Sequence, residues 1–553
     1  MAAYNTLIAD KFSLLAKLMD IHGENPFKIR SYASAAFSID KLTEDLSSIP
    51  QEKINTIKGI GPSIGKQIIE ILDSGELTQL RAIIQKTPPG VIEMLKIKGL
   101  GPKKISTVWK EMEIESIGEL MYACNENRLL LYKGFGEKTQ NNIRDTISFY
   151  LKNQGSFLFA EVEGYVHQIQ KNLMEQFPRQ LIAVTGAFRR QLEIISEPEW
   201  ICSIPITDLE QYFKKNQFTI QESSANRLVV SGAEHISLKF HFVHRESFYS
   251  ALFETSADEA FLASWKERFA PVKDPASEEI IFQQAGISFI PVPLREDSAV
   301  LNRAVSPFPR LIQTSDIKGI IHSHSNWSDG LQTIEQMAKA CIEQGFEYLV
   351  ISDHSRSAIY APGLSEERIQ AQQQHIEELN RLLTPFHIFK SIECDILYDG
   401  NLDYNDAILD TFDLVIASVH SNLKMDGKKA MSRLLRAIEN PYTRILGHPT
   451  GRLLLSRPGY PVDHQALIDA CAAKNVVIEL NAHPRRLDLD WRWIDYALQK
   501  NVMISIDPDA HSISGYHDIR YGVLAAQKGG VRAEQNLSSY SLAQMKRFVG
   551  EKR

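Results

Sequence analysis

Ten residues, Ile321-His322-Ser323-His324-Ser325-Asn326-Trp327-Ser328-Asp329-Gly330, put two histidines one residue apart at the end of the apolar run Gly319-Ile320-Ile321, shortly before an Asp-Gly turn. A strand shows residues i and i+2 on one face, so both imidazoles point the same way, and neutral imidazole is the commonest protein ligand for transition metals. An exposed strand can carry the same pattern with no metal, so the residues downstream decide. His354 follows Leu349-Val350-Ile351-Ser352-Asp353, Glu393 follows Ser391-Ile392, His420 follows Ile416-Ala417-Ser418-Val419, and His448 follows Ile445-Leu446-Gly447. Asp509 and His511 follow Ile504-Ser505-Ile506-Asp507-Pro508. One histidine at a strand end is usually a hydrogen-bonded structural residue; metal-competent side chains at nearly every successive strand end argue for a metal cluster.

Imidazole and carboxylate donors without thiolate suit Mn²⁺, Zn²⁺ or Fe²⁺ and leave the choice among them open. Clustered divalent ions lower the pKa of water, hold phosphoryl oxygens and stabilise a leaving oxygen, so phosphoester hydrolysis is the natural reaction and no side-chain nucleophile is required. Glu393, His420 and Asp509 are the ligands closest to that metal-activated water in this reading. Arg356, Arg452, Arg485 and Arg486 follow ligand-bearing strand ends and are candidates for substrate phosphate, with a surface ion pair as the alternative for each. His483 is as readily structural as catalytic.

The elements that must position these residues alternate. Strands are expected at Gly319–Ile321, Tyr348–Ser352, His387–Ile392, Leu414–Ser418, Arg444–Leu446, Val476–Leu480 and Met503–Ile506. Between them helical patterns run over Thr333–Gln344, Ser365–Leu383, Lys428–Ile438, His464–Lys474 and Trp491–Lys500. Repeated β-then-α order implies a parallel barrel or sheet with its chemistry at the strand C-terminal ends.

The N-terminal third has a different device. Residues 5–48 read as helices, from Ile8-Phe12-Leu15-Leu18-Met19 and Tyr32-Ala35-Phe37-Ile39. Then Lys58-Gly59-Ile60-Gly61-Pro62, Lys98-Gly99-Leu100-Gly101-Pro102 and Lys133-Gly134-Phe135-Gly136 each lead into an amphipathic helix. Gly-x-Gly gives a tight turn and leaves the next helix's first N–H groups facing outward, which is a phosphate seat. Three copies, with Lys66, Lys103 and Lys104 beside them, look like helix-hairpin-helix motifs, which grip the sugar-phosphate backbone without reading bases.

At 553 residues the chain needs several domains. Its net charge of -7 excludes coating nucleic acid by bulk charge, so any DNA contact is local. The first 150 residues carry 19 Lys+Arg against 18 Asp+Glu, while the remainder is acidic. No apolar run is long enough for a membrane span, and the start lacks the pattern of a secretory leader. Five scattered cysteines suggest neither disulfides nor a thiolate site; a cytoplasmic protein is expected.

With Asn25-Pro26-Phe27-Lys28-Ile29-Arg30-Ser31-Tyr32 ahead of these hairpins, the chain resembles the bacterial family X DNA polymerases nearly end to end. The resemblance implies a multidomain fold: a helical DNA-end-binding domain (1–85), a fingers-like helix-hairpin-helix region (86–150), an α+β nucleotidyltransferase-like palm (151–245), a thumb (246–312), and a C-terminal α/β PHP (polymerase and histidinol phosphatase) domain (313–553) as a distorted (β/α)7 barrel. His322, His324, Asp329, His354, Glu393, His420, His448, Asp509 and His511 match the PHP ligand pattern. That pattern implies three divalent ions. Glu393 would bridge one held by His322, His324 and Asp509 to a second held by His420 and His448; Asp329, His354 and His511 would hold the third.

The polymerase residues depart from the family. Thr185-Gly186-Ala187-Phe188-Arg189-Arg190 resembles its triphosphate-binding segment, with Ala187 in place of the family's serine. The paired metal-binding aspartates align with Glu197-Pro198-Glu199, and the third carboxylate aligns with Lys239. Glutamate moves the carboxylate oxygens by about 1 Å, which phosphoryl transfer tolerates poorly, and a lysine reverses the local charge. At the position of the family's lyase lysine stands Gln67, which puts that activity in doubt. The expectation is a DNA-repair-type enzyme: a metal-dependent phosphodiesterase, acting as a 3′→5′ exonuclease or 3′-end-processing activity on gapped DNA or free 3′ ends, with an inactive polymerase site. A DNA-end-binding scaffold with structural metals, and residual nucleotidyl transfer through Glu197 and Glu199, are the rivals.

Overall fold

The computed structural model describes residues 3–40, 42, 44–57, 60–152, 155–232, 236–358 and 361–551. It divides into two compact units, Met1–Asn125 with Leu129–Ser148, and Glu126–Arg128 with Phe149–Arg553.

The first unit is helical. Helix Ala3–His22 buries Ile8, Phe12, Leu15, Leu18 and Met19, and helix Pro26–Asp40 buries Tyr32, Ala35, Ala36 and Ile39. Phe37, which the spacing assigns to the same face, is 63% exposed, because Ala36 holds the in-phase position. The hairpin turns lead into helices Pro62–Ser74, Pro102–Lys110 and Glu137–Lys152. Gly99 (φ +89°) and Gly134 (φ +95°) occupy left-handed backbone that a side chain would strain. Gly61 and Gly101 are extended N-caps, each followed by a proline at the first helical position.

The second unit contains a mixed five-stranded sheet, a helical cluster and a barrel. The sheet comprises β1 (Ile182–Thr185), β2 (Glu199–Cys202), β3 (Thr219–Ser224), β4 (Arg227–Ser231) and β5 (Ser237–Phe242), in the order β1-β2-β5-β4-β3, and only β2 and β5 run parallel. Trp200, Phe213 and Phe240 fill its core. In the helical cluster over residues 253–311, the rings of Phe253, Phe282 and Phe289 face the fully buried Arg295, whose charge is matched by Glu278 at 2.7 Å.

Seven parallel strands follow: β6 (Gly319–Ile320), β7 (Tyr348–Ile351), β8 (His387–Asp395), β9 (Leu414–Ser418), β10 (Thr443–Leu446), β11 (Val477–Asn481) and β12 (Ile504–Asp507). They pair in sequence order, and a parallel bridge from Ser323 to Ala510 joins the two edges into a nearly closed barrel. Alternation along β7 sends Tyr348 and Val350 to the inner core and Leu349 and Ile351 to the helix-covered outer one. Leu537 and Met545 plug the inner core. They do so from the N-terminal ends of the strands, where Ser538 O accepts from Lys318 N and Glu347 accepts from Leu542 N. The opposite mouth is therefore left to polar side chains.

Candidate metal centre

Every expected ligand sits at that C-terminal mouth, and all nine are buried or nearly so; the most exposed side chain, His420, shows 5%. Glu393, on β8, is the hub. Its Oε1 lies 3.2 Å from His322 Nε2, 3.0 Å from His420 Nε2 and 3.0 Å from His448 Nε2, and its Oε2 lies 2.9 Å from His354 Nδ1. Asp509 Oδ1 is 3.1 Å from His324 Nε2 and 3.4 Å from His322 Nε2. Asp329 Oδ2 is 3.5 Å from His354 Nε2 and 3.4 Å from His511 Nε2. Donor atoms of His324, Asp329, His354 and His511 form one compact group, those of His322, His324 and Asp509 a second, and those of His354, Glu393 and His420 a third.

Local backbone pays for this convergence. His322 (φ +58°) and Asp509 (φ +51°) adopt left-handed conformations, which cost a non-glycine residue on the order of 1–3 kcal/mol and cluster at functional sites. Gly330 closes the loop onto it: a Cβ there would lie 2.0 Å from the His324 carbonyl oxygen. The loop also hangs from Asp353, whose carboxylate accepts from Ser325 N and Oγ (2.8 and 2.6 Å), Ser328 Oγ (2.5 Å) and Gln372 Nε2 (2.6 Å).

Charges are sorted within the cluster. Burial, with His354 and His511 alongside, pushes His324 down to about 3, keeping it in the neutral form that a metal site would need. Burial opposes charge on His511 too, but the Asp329 carboxylate wins and lifts it to about 9. Although burial works against their ionisation, the imidazoles hold Asp329, Glu393 and Asp509 well below the usual carboxylate range. His322 Nε2, His324 Nδ1, Asp329 Oδ2, Glu393 Oε2 and His511 Nε2 are buried with no hydrogen-bond partner among the described residues. Buried polar atoms are ordinarily paired, so bound divalent cations fit this donor set.

Several supporting groups escaped the sequence reading. Glu479 Oε2 accepts from His322 Nδ1 at 2.5 Å, and its Oε1 accepts from His448 N and Asn481 Nδ2. Asp395 accepts from His420 Nδ1. Carboxylates behind ligating imidazoles fix the ring tautomer. A signal existed for both: Glu479 interrupts Val477-Ile478-Glu479-Leu480, and Asp395 shares a strand face with Glu393.

The arginines assigned to phosphate occupy different settings. Arg356 is half exposed, beside Asp403 and Glu366. Arg452 pairs with Asp490 and donates to the carbonyls of Arg486 and Leu487. Arg485 is 3% exposed and pairs with Glu161 at 2.8 Å, and Arg486 Nε lies 3.8 Å from Asp509.

In the sheet domain Glu199 lies directly opposite Lys239 in the β2–β5 register. Lys239 Nζ is 3.3 Å from Glu199 and 3.6 Å from Glu197, and His241 Nε2 is 2.7 Å from Glu199. Arg189 pairs with Glu278 and donates to Ser256 Oγ; Arg190 pairs with Glu296 at 3.0 Å. Ala187 is in the short helix Gly186–Arg189 that follows β1. Among the hairpin residues, Gly61, Lys66, Gly99, Gly101, Lys103, Gly134 and Gly136 are exposed, and Lys104 is half-buried with Nζ 3.5 Å from Gly99 O. Gly59 and Lys58 lie outside the described residues. Gln67 donates to Tyr32 Oη and Gln79 Oε1.

Three family models match the chain: a helix-hairpin-helix domain over residues 3–77, a SAM-like helix-hairpin-helix tandem over 91–147, and a PHP domain over 321–483. Asp509 and His511 lie beyond that last stretch; the other seven ligand candidates lie within it. The DNA polymerase/3'-5' exonuclease PolX of Bacillus subtilis (strain 168) is 31% identical over 557 residues, covering 97% of each chain. A probable phosphatase of Clostridium novyi (strain NT) is 27% identical over 165 residues, 29% of this chain and 63% of that protein. One from Syntrophotalea carbinolica is 28% identical over 177 residues, 30% of this chain and 68% of that protein. The two phosphatases match under a third of the chain, whereas the match over 97% of it shows that the chain belongs to the bacterial family X DNA polymerase/3'-5' exonuclease (PolX) family.

Proposed function

We propose that this protein is a metal-dependent DNA phosphodiesterase that shortens or processes 3′ ends, and that its polymerase site no longer transfers nucleotides. The observation that carries this reading is the contrast between two carboxylate sites in one chain. The nine barrel residues converge, with His322 Nε2, His324 Nδ1, Asp329 Oδ2, Glu393 Oε2 and His511 Nε2 buried and without a hydrogen-bond partner among the described residues, while Glu197 and Glu199 both pair with Lys239 and Glu199 also meets His241 Nε2. Arg189 and Arg190, the counterparts of triphosphate ligands, are each matched by a carboxylate. The exposed hairpin turns supply backbone N–H groups for DNA phosphates.

Three ions in the grouping given above are the proposed complement; when bound they would activate water and stabilise charge on the phosphoryl and leaving oxygens. The chain's own residues prepare for this. Glu479 and Asp395 keep the proton of His322 and His420 on Nδ1, which turns each Nε2 toward Glu393 Oε1. Arg356, exposed at the rim, is the proposed contact for a neighbouring phosphate, with Arg486 deeper in the site. The test is a gapped duplex labelled at its 3′ end, incubated with Mn²⁺: the wild type is expected to shorten it, and His322→Ala to bind it without shortening. Equal products from both proteins would refute the assignment.

A further inference from the structure

Residues 481–492, between β11 and helix Ile494–Gln499, link the sheet domain to the metal centre within the second unit. A run of hydrogen bonds leads inward from its outer edge: Glu161 Oε1 accepts from Arg485 Nη2 (2.8 Å), Arg485 N donates to His483 Nδ1 (3.2 Å), His483 N donates to Asn481 Oδ1 (3.1 Å), and Asn481 Nδ2 donates to Asp509 Oδ2 (3.0 Å). The other end of the segment is held from the same side. Glu193 accepts from Trp491 Nε1 (3.0 Å) and Arg492 Nη1 (2.9 Å), and Phe159 N donates to Glu193 O. Two carboxylates of the sheet domain thus hold this segment, one at Arg485 and one at Trp491 and Arg492, and Asn481 at its start bonds Asp509.

We infer that Glu161, acting through Arg485 and supported by Glu193, is a positioning residue for the metal centre in the barrel. This rests on the phosphodiesterase reading above. It also gives Arg485 a role different from phosphate binding: a guanidinium so buried and already paired acts as the anchor of its loop. A degenerate palm would then persist because the barrel's site is completed by it.

Glu161 Oε2 also accepts from Leu158 N, a bond that glutamine can keep, so Glu161→Gln removes the charge and little else. Mn²⁺ affinity is to be read by calorimetry, and kcat and KM on labelled 3′ ends, for Glu161→Gln, Arg485→Met and the double variant. Arg520→Met is the control: Arg520 Nη2 pairs with Glu163, a second link between the sheet domain and the barrel that lies off the hydrogen-bond path. The expected result is Mn²⁺ affinity and kcat both reduced about tenfold in the double variant, with KM little changed. In Arg520→Met, Mn²⁺ affinity stays at the wild-type level while the melting temperature falls. Because the double variant strands no buried charge, it carries the test even where a single variant fails to fold. Wild-type affinity and kcat in the double variant, or an equal loss of affinity in Arg520→Met, would overturn the inference. A wild type that binds Mn²⁺ but leaves DNA intact would refute the phosphodiesterase reading instead, with the affinity comparison still deciding the role of Glu161.

Discussion

Glu479 never needs to touch a metal to matter. It is fully buried, its charge meets His322 Nδ1, and it also fixes His448 through the backbone and Asn481 through its side chain. Glu479→Gln is expected to cost 10- to 100-fold in Mn²⁺ affinity or turnover, read by calorimetry and by release of labelled nucleotide, with the fold intact by circular dichroism. At this scale the candidate ligands stood out in the sequence because histidines and acids at the ends of apolar runs are chemically conspicuous, and the structure brings them together at one mouth of the barrel. Glu479, Asp353 and Glu161 did not: a carboxylate that supports another residue is defined by its neighbour in space, and the neighbour of Glu479 is 157 positions away.

At the scale of elements, strand and helix periods placed the barrel well. Helix His464–Lys474 falls where the pattern puts it, and the others shift by about a residue at their ends, where hydrogen bonding frays. Trp491 to Trp493 form a 3₁₀ turn before helix Ile494–Gln499, because Asp490 caps Arg492 N at that point. Gly330 shows what periodicity does not reveal, since its need for glycine arises from the His324 carbonyl folding back on it. Gly330→Ala is expected to displace His324 and lower Mn²⁺ affinity at least tenfold, measured by calorimetry. A second element-level prediction concerns Asp518, which precedes helix Ile519–Lys528 and whose carboxyl burial pushes up to about 7. Its folded value lies above the unfolded one, so between about pH 4 and 7 the native state holds more protons and stability falls as pH rises through that window. Asp518→Asn removes this slope: urea unfolding at pH 5 and pH 8 should show the wild type losing stability relative to the variant, and a constant difference would contradict the burial of the charge.

At the scale of the whole molecule, the barrel carries a ready donor set while the sheet domain carries internally paired charges. Chelation should therefore act on the barrel. Dialysis against EDTA is expected to lower the melting temperature by several degrees, restored by Mn²⁺, because the buried carboxylates lose their cations. The domain order was legible from three Gly-x-Gly repeats and one β-then-α series; the ties between the sheet domain and the barrel were not, because Glu161 with Arg485 and Glu163 with Arg520 are pairs of ordinary charges far apart in sequence. The barrel site is proposed to be active and the sheet-domain site inactive. A single gapped duplex, labelled on the primer and supplied with Mn²⁺ and all four deoxynucleoside triphosphates, tests both at once. The primer 3′ end is expected only to shorten, and His322→Ala to stop this. Extension of the primer, lost in a Glu197→Gln/Glu199→Gln variant, would contradict this proposal.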